Sequence, residues 1–356
     1  MWYEKQFRDN GNLTTLLQAI RQIATFPIRI MEVCGGQTYA LSRYRIEELL
    51  PNTVQMIHGP GCPVCVTHED TISQAIEIAR NPQTIFCTFG DMVRVPGTKG
   101  SLQQLKAEGK DIRIVYSPLD TLRIASENPE KQVVFFAIGF ETTTPLYTLL
   151  LQEIVSRKIT NLSLLTSAAI SFLAQDPECK IDGLLAAGHV CSITGLREYD
   201  ALAEKLKLPI AVTGFEPADL LYGIYQVIRL KAQGIDRTIN AYRRAVPTQG
   251  NRMARQKTER FFTPYDAYWR GLGKIPVSGL RLRPEYEQYE ARNRFLCKVK
   301  PGIQASVCRA GEIMKGKISP EKCPLFGNRC TPDTPLGASM VSSEGACSAF
   351  YRYRTN

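Results

Sequence analysis

The run Gln132-Val-Val-Phe-Phe-Ala-Ile138 is apolar and rich in β-branched and aromatic residues, and Gly139-Phe-Glu-Thr-Thr143 follows it at once. A helical pattern over Pro145–Arg157 comes next, and then a second apolar run, Leu162-Ser-Leu-Leu-Thr166. Strand, Gly-bearing loop, helix, strand is the unit of a parallel α/β sheet with right-handed crossovers.

The same alternation extends in both directions, from about residue 28 to residue 217. Four runs precede or enter this unit's neighbourhood, Ile28–Val33, Thr53–Ile57, Thr84–Thr88 and Ile112–Tyr116. Gln132–Ile138 and Leu162–Thr166 are continued by Gly183–Ala187 and Leu208–Val212, the last tolerating Pro209 near its start. Asp70–Arg80 and Leu196–Lys205 are further helix candidates. Four units and then four more predict two similar parallel-sheet α/β domains, over 22–122 and 123–233, joined near Pro118–Glu130. Period and spacing support this division; no residue-level repeat does. From about residue 234 the alternation fails, and Gly250–Lys257 and Arg281–Tyr286 are polar, basic and loop-prone. A third, loop-rich domain is therefore expected over 234–356, taken together with 1–21.

The chain has 356 residues, 44% hydrophobic and 22% charged, the mixture of a globular protein that needs no disulfide staples. Collagen-like, disordered and small secreted classes are excluded. No apolar run reaches about 18 residues, so no membrane span is expected. Met1–Asp9 lacks an apolar signal core, which predicts a cytoplasmic setting. Eleven cysteines stand against three histidines, and in a reducing compartment they point to metal or redox chemistry. The net charge of +10 is uneven. Residues 1–228 hold 20 Lys+Arg and 24 Asp+Glu, and residues 229–356 hold 24 and 10. The basic last third reads as a solvated face or as compensation for an anionic cluster, and no nucleic-acid partner is expected.

Polar loops fall after the strand runs: Cys34–Thr38, Gly59–Cys65, Phe89–Gly97, Gly139–Thr143, Gly188–Cys191 and Gly214–Pro217. Ligands of open α/β sheets bind beyond the carboxyl ends of the strands, so these loops are expected to face one cleft. Within them, Cys34 precedes two glycines that permit close approach of a ligand, although a strand-end cysteine is also a common buried residue. Cys62-Pro-Val-Cys65 lies between a strand and a helix, where the helix dipole lowers a thiol's pKa. It reads as a redox pair, half of a metal site, or an incidental spacing. His189 is the best placed histidine; His58 and His68 would tune thiols or face solvent. Asp91 and Glu141 are candidates to accept protons or position a ligand, with capping as the alternative.

Cys308, Cys323, Cys330 and Cys347 are separated by 14, 6 and 16 residues on Gly/Pro-bearing segments. Four convergent thiolates suit an iron–sulfur cube. Zinc usually takes Cys-x2-4-Cys knuckles, absent here, and four unrelated reduced thiols are the remaining reading. Cys297 and Cys87 are read as buried thiols, Cys179 as a helix-end residue and Cys191 as a weak candidate. Phosphate-loop, dinucleotide, serine-hydrolase and zinc-protease motifs are missing.

Taken together, the segments resemble the HypD family of NiFe-hydrogenase maturation proteins. They are Met31–Gly36, Gly59–Cys65, Thr88–Met92, Val95–Gly97, Gly139–Thr143, Gly188–Cys191, Trp269–Pro276, Cys323–Gly327, Cys330–Pro332 and Met340–Cys347. The resemblance implies a scaffold that, with a small HypC-type chaperone, assembles and carries an Fe(CN)2(CO) unit for the hydrogenase large subunit. Cyanide would come from a HypE-type donor protein. Cys34 would ligate that iron, Cys62 and Cys65 would be the redox pair, and Cys308, Cys323, Cys330 and Cys347 would hold a 4Fe-4S cluster. His189, Asp91 and Glu141 would position ligands or move protons. The alternative is a thiol–disulfide oxidoreductase with a structural cluster. One departure stands out: the family's Cys-Gly-Gly-His-Thr-His reads Cys34-Gly-Gly-Gln37-Thr38-Tyr39. Gln37 can hydrogen-bond a cyanide nitrogen but does not titrate near neutral pH.

Overall fold

The structure, a computed structural model, describes residues 6–169, 179–297 and 307–354. Each of the eight expected runs is a strand: β1 (Ile28–Glu32), β2 (Val54–His58), β3 (Thr84–Thr88), β4 (Ile112–Ile114), β5 (Gln132–Gly139), β6 (Leu162–Ala169), β7 (Gly183–Ala187) and β8 (Ile210–Thr213). The expected helices run Glu69–Arg80, Thr144–Ser156 and Arg197–Leu206. Three further strands, β9 (Thr238–Asn240), β10 (Phe262–Trp269) and β11 (Gly273–Leu282), complete two sheets.

The first sheet, in the order β2-β1-β7-β8-β9, is parallel throughout. The second, β10-β11-β6-β5-β3-β4, is parallel from β6 to β4 and antiparallel across β10, β11 and β6. The continuous apolar character of β5 follows from burial on both faces. Phe135 and Ala137 pack with Tyr147, Leu150 and Ile154. Val134, Phe136 and Ile138 pack on the other side with Ile72, Ile76 and Leu102. Each such fully buried side chain contributes about 1.5–3 kcal/mol of burial free energy.

Two expectations about the domains need correction. The sheets do not follow the consecutive division into 22–122 and 123–233. β1 and β2 lie in the first sheet, β3 to β6 build the second, and β7 to β9 return to the first. Strand–helix units look alike locally, and the pairing is decided by packing between distant segments. Nor do residues 234–356 form one separate loop-rich unit. β9 extends the first sheet, and the β10–β11 hairpin extends the second. Within that hairpin Pro264, Pro276, Gly273 and Gly279 break up the apolar runs that mark the other strands. The helix Asn10–Ile23, grouped by expectation with the carboxyl end, packs Leu13, Leu16, Leu17 and Ile20 in the first sheet's core, among Leu220, Ile224 and Ile228.

Residues 307–354 are free of named strands and lie against both sheets. Arg94 donates to the carbonyls of Pro332 and Val341, and Arg29 donates to that of Gly316. Helix Ala346–Arg354 packs on helix Gly35–Arg43, with the Tyr353 hydroxyl donating to that of Tyr39 at 2.7 Å. Among the described residues, no helix is long and apolar enough to cross a membrane.

Candidate functional site

Cys34 ends β1 and is the N-cap of helix Gly35–Arg43, in extended backbone geometry. Its sulfur makes no capping bond, so the thiol is available to face a ligand. Its backbone N–H donates to Glu32 at 2.9 Å. The residue is only 4% exposed, and burial pushes the thiol far above its usual range. The Gln37 and Gly36 amides oppose that rise, while the charges of Glu32 and Glu344 add to it.

The turn after β2 is laid directly on this one. Gly61 presses on the Cys34 backbone so closely that a Cβ there would collide with it, and the Gly35 N–H donates to the Gly61 carbonyl at 3.0 Å. Cys62 and Cys65 follow, joined as a disulfide around the short helix Pro63–Val66. Both are buried, at 3% and 4% exposure. Gly35 meets a second neighbour, Glu344 of the carboxyl segment, at equally close range.

His189 reaches Cys34 from the helix after β7. Its two ring nitrogens are each 3.9 Å from the sulfur, so the thiol points at neither in particular. Burial lowers the pKa of this imidazole, which favours its neutral form. Phe215, after β8, holds the His189 ring at a 5.1 Å centroid distance. Four strand-end loops of the first sheet therefore meet at Cys34, with Glu344 of the carboxyl segment beside Gly35. Asp91, after β3, acts on Glu344, whose carboxyl is pushed up first by burial and then by that charge. Glu141, after β5, acts through its charge on Cys191 and Tyr199.

The departures from the family motif are settled by packing. Gln37 is fully buried and donates to the Ala186 carbonyl at 3.2 Å and to the Thr213 hydroxyl at 2.6 Å. Its amide ties the helix to β7 and β8. Tyr39 faces the carboxyl helix.

Neither remaining histidine faces solvent as a free side chain. His68 caps helix Glu69–Arg80, accepting from the Asp70 N–H at 3.3 Å. His58 is buried between two carboxylates, 2.9 Å from Glu32 and 3.0 Å from Glu47. Burial pulls its pKa down, but the Glu47 charge and the bonds to both carboxylates outweigh it and raise it to about 10. The sequence signal here was Glu32 alone, a carboxylate inside an apolar run; the structure makes it the register partner of His58 across β1 and β2. Glu344 and Phe215 were also passed over, the first inside the Met340–Cys347 motif and the second in the loop after β8.

In the carboxyl segment the four cysteines sense one another. Burial raises Cys308, with Cys330 and Cys323 adding to the rise. Cys347 is pushed up to about 12 by burial and by Cys308, Cys330 and Cys323, against a bond from Ser339. Cys330 and Cys347 lie in an apolar cluster with Ile313, Met340 and Ala346. The Leu336 N–H donates to the Cys330 sulfur at 3.4 Å. Among the described residues, no group of three or more His, Cys, Asp or Glu side chains stands close enough to hold a metal ion. Cys87 is buried in β3, as expected, whereas Cys297 is only half-buried where it packs against the second sheet's core.

Two α/β sheets, the first of which brings the loops after β1, β2, β7 and β8 to one buried thiol with a disulfide pair on the adjoining turn, define a cysteine-centred α/β protein. Residues 12–354 match the family described as "HypD: Hydrogenase formation hypA family". The chain is 43% identical over 367 residues to the hydrogenase maturation factor HypD of Escherichia coli (strain K12), covering 99% of this chain and 98% of that one. It is 43% identical over 369 residues to the hydrogenase maturation factor HypD of Rhizobium leguminosarum bv. viciae, covering 99% and 96%. The hydrogenase expression/formation protein HupD of Azotobacter chroococcum mcd 1 is 41% identical over 367 residues, with 99% and 97% covered. The chain belongs to the HypD family of hydrogenase maturation factors.

Proposed function

We propose that this maturation factor holds the iron of an Fe(CN)2(CO) unit at Cys34, as cargo for the large subunit of a NiFe hydrogenase. The observation that carries the reading is the Cys34 thiol itself: buried, spared from capping its own helix, and set against His189 where four strand-end loops of the first sheet meet. A soft sulfur suits low-spin iron with strong-field diatomic ligands. Cys34 must lose its proton to ligate, and the neutral His189 imidazole beside it accepts that proton. A small HypC-type chaperone would supply a second thiolate from outside the chain, and a HypE-type protein would deliver cyanide as a thiocyanate. A reducing cytoplasmic setting suits this thiol chemistry.

Releasing cyanide from a thiocyanate breaks its S–C bond and takes up two electrons. Oxidation of the Cys62/Cys65 dithiol to a disulfide provides two electrons and two protons. One proton stays on the carrier thiol, and the other is released as the cyanide carbon binds iron. The Cys62–Cys65 disulfide is the product state of that step.

Cys308, Cys323, Cys330 and Cys347 would hold a 4Fe-4S cluster. Four mutually interacting thiols, three of them pushed up by burial, form an all-sulfur donor set that a cation would relieve. Bound there, the cluster would supply one-electron redox chemistry.

A thiol oxidoreductase acting on protein disulfides is disfavoured, because both sulfurs of the Cys62–Cys65 pair are buried and attack requires access. The test is infrared spectroscopy of the anaerobically co-purified chaperone complex. Wild type is expected to show CN and CO bands that Cys34→Ala lacks; bands of equal strength in both would overturn the reading.

A further inference from the structure

A line of charged side chains runs behind the Cys34 turn. Glu32 is fully buried and accepts from the Cys34 N–H at 2.9 Å and from the Thr38 hydroxyl one turn into the helix. His58 follows, with Nδ1 2.9 Å from Glu32 and Nε2 3.0 Å from Glu47. Arg354 closes the line at 2.6 Å from Glu47. Glu47 and Arg354 line a cavity of about 480 Å³ between β2 and the carboxyl segment. Phe350 packs its edge on the His58 ring at 5.0 Å.

A carboxylate without exposure keeps its charge only beside a partner. The acceptors of Glu32 left after His58 hold two points of one turn: the amide of the residue that carries the thiol, and the hydroxyl of Thr38. The conformation that presents Cys34 thus depends on a histidine from the neighbouring strand. The outer end of the line, Arg354, belongs to the helix that begins at Ala346, beside Cys347.

We propose that His58 is a positioning residue for Cys34: through Glu32 it holds the turn that presents the thiol, and through Glu47 and Arg354 it ties that turn to the helix carrying Cys347. His58 matters in this way only if Cys34 is the working thiol, as proposed above. Reading the effect without iron tells a failure here apart from a failure of the iron-anchor reading.

The test is residue-resolved iodoacetamide labelling of the iron-free full-length protein, with the buried Cys191 as internal reference. His58→Ala and Glu32→Gln are expected to speed Cys34 labelling about tenfold, and Arg354→Ala about threefold, with Cys191 unchanged. Glu32→Gln combined with His58→Ala is expected to label no faster than the faster single variant, since the two act as one unit. Cys34 labelling unchanged in both Arg354→Ala and His58→Ala, rising in step with Cys191, or multiplying in the double variant overturns the positioning role. A silent Arg354→Ala beside an accelerated His58→Ala overturns the tie to the carboxyl helix. Arg354, at the outer end of the line, keeps the test open should the buried variants fail to fold.

Discussion

The turn after β1 and the turn after β2 leave the first sheet side by side, and each delivers a cysteine to the N-terminus of a helix. At Cys62 the sulfur is spent: it is bonded to Cys65 and also accepts the Cys65 N–H at 3.2 Å. At Cys34 the sulfur forms no disulfide and faces His189 at 3.9 Å, and the backbone N–H is held from behind by Glu32. Both positions offer the helix-end amides that favour a thiolate. At Cys34 burial wins over them and the proton stays on. A helix terminus is therefore not enough to make a reactive thiolate in this cleft. A cation must arrive, or a base must take the proton, and His189 is the base at hand.

The sharpest way to break this contrast is to remove the support of the Cys34 turn. His58→Ala leaves two buried carboxylates without their shared partner and is expected to cost about 3–5 kcal/mol in denaturant unfolding. The pH dependence gives the sign. The folded value of His58 is raised from 6.5 to about 10, so its contribution is complete below pH 6.5 and is lost as pH rises through 10. That of Glu47 is lowered from 4.5 to about 2: burial alone would raise it, but His58 and Arg354 prevail. Its contribution is present above pH 4.5 and is lost as pH falls through 2. The stability gap between wild type and His58→Gln should be widest between pH 4.5 and 6.5 and close toward pH 10. A gap that does not change between pH 6 and 10 would show that the pair is not charged.

Forcing the two turns apart comes next. Gly61→Ala places a methyl in the Cys34 backbone, with an expected loss of about 1–3 kcal/mol and faster Cys34 labelling. Gly109→Ala is no fair control, since Gly109 has positive φ; Ala107→Ser, in an exposed helix turn, should be nearly silent. Opening the second turn is milder. Cys62→Ala with Cys65→Ala removes a disulfide that closes a very short loop, and should cost about 2 kcal/mol or less while leaving Cys34 labelling within twofold. Smallest of all, Arg123→Ala breaks an exposed pair with Glu127 and should shift stability by less than about 0.5 kcal/mol.

The strands were legible because each is a short apolar run closed by a glycine or polar loop, and β3 and β7 match the expected ranges at both ends. Their distribution between sheets was not, because β2 and β3 carry the same local pattern yet pair in different sheets. Cys34 and His189 could be picked out as loop residues at strand ends. His58 could be picked out as a histidine after a strand, but its pairing with Glu32 could not, since that partnership exists only once β1 and β2 are paired in register. The β10–β11 hairpin hid behind its prolines and glycines, and its antiparallel pairing with β6 breaks the rule that revealed the other strands.

The path of the chain between the sheets also bears on how the protein is made. During synthesis β1 and β2 emerge first, yet the inner edge of β1 has no partner until β7 has been translated, after the whole parallel part of the second sheet. The nascent chain must keep an apolar two-stranded ribbon soluble while another sheet forms around its continuation, a high-contact-order route that is slow and exposed to aggregation. Neither sheet can be excised as one continuous stretch of gene. Split or permuted versions should assemble only when both fragments are present together.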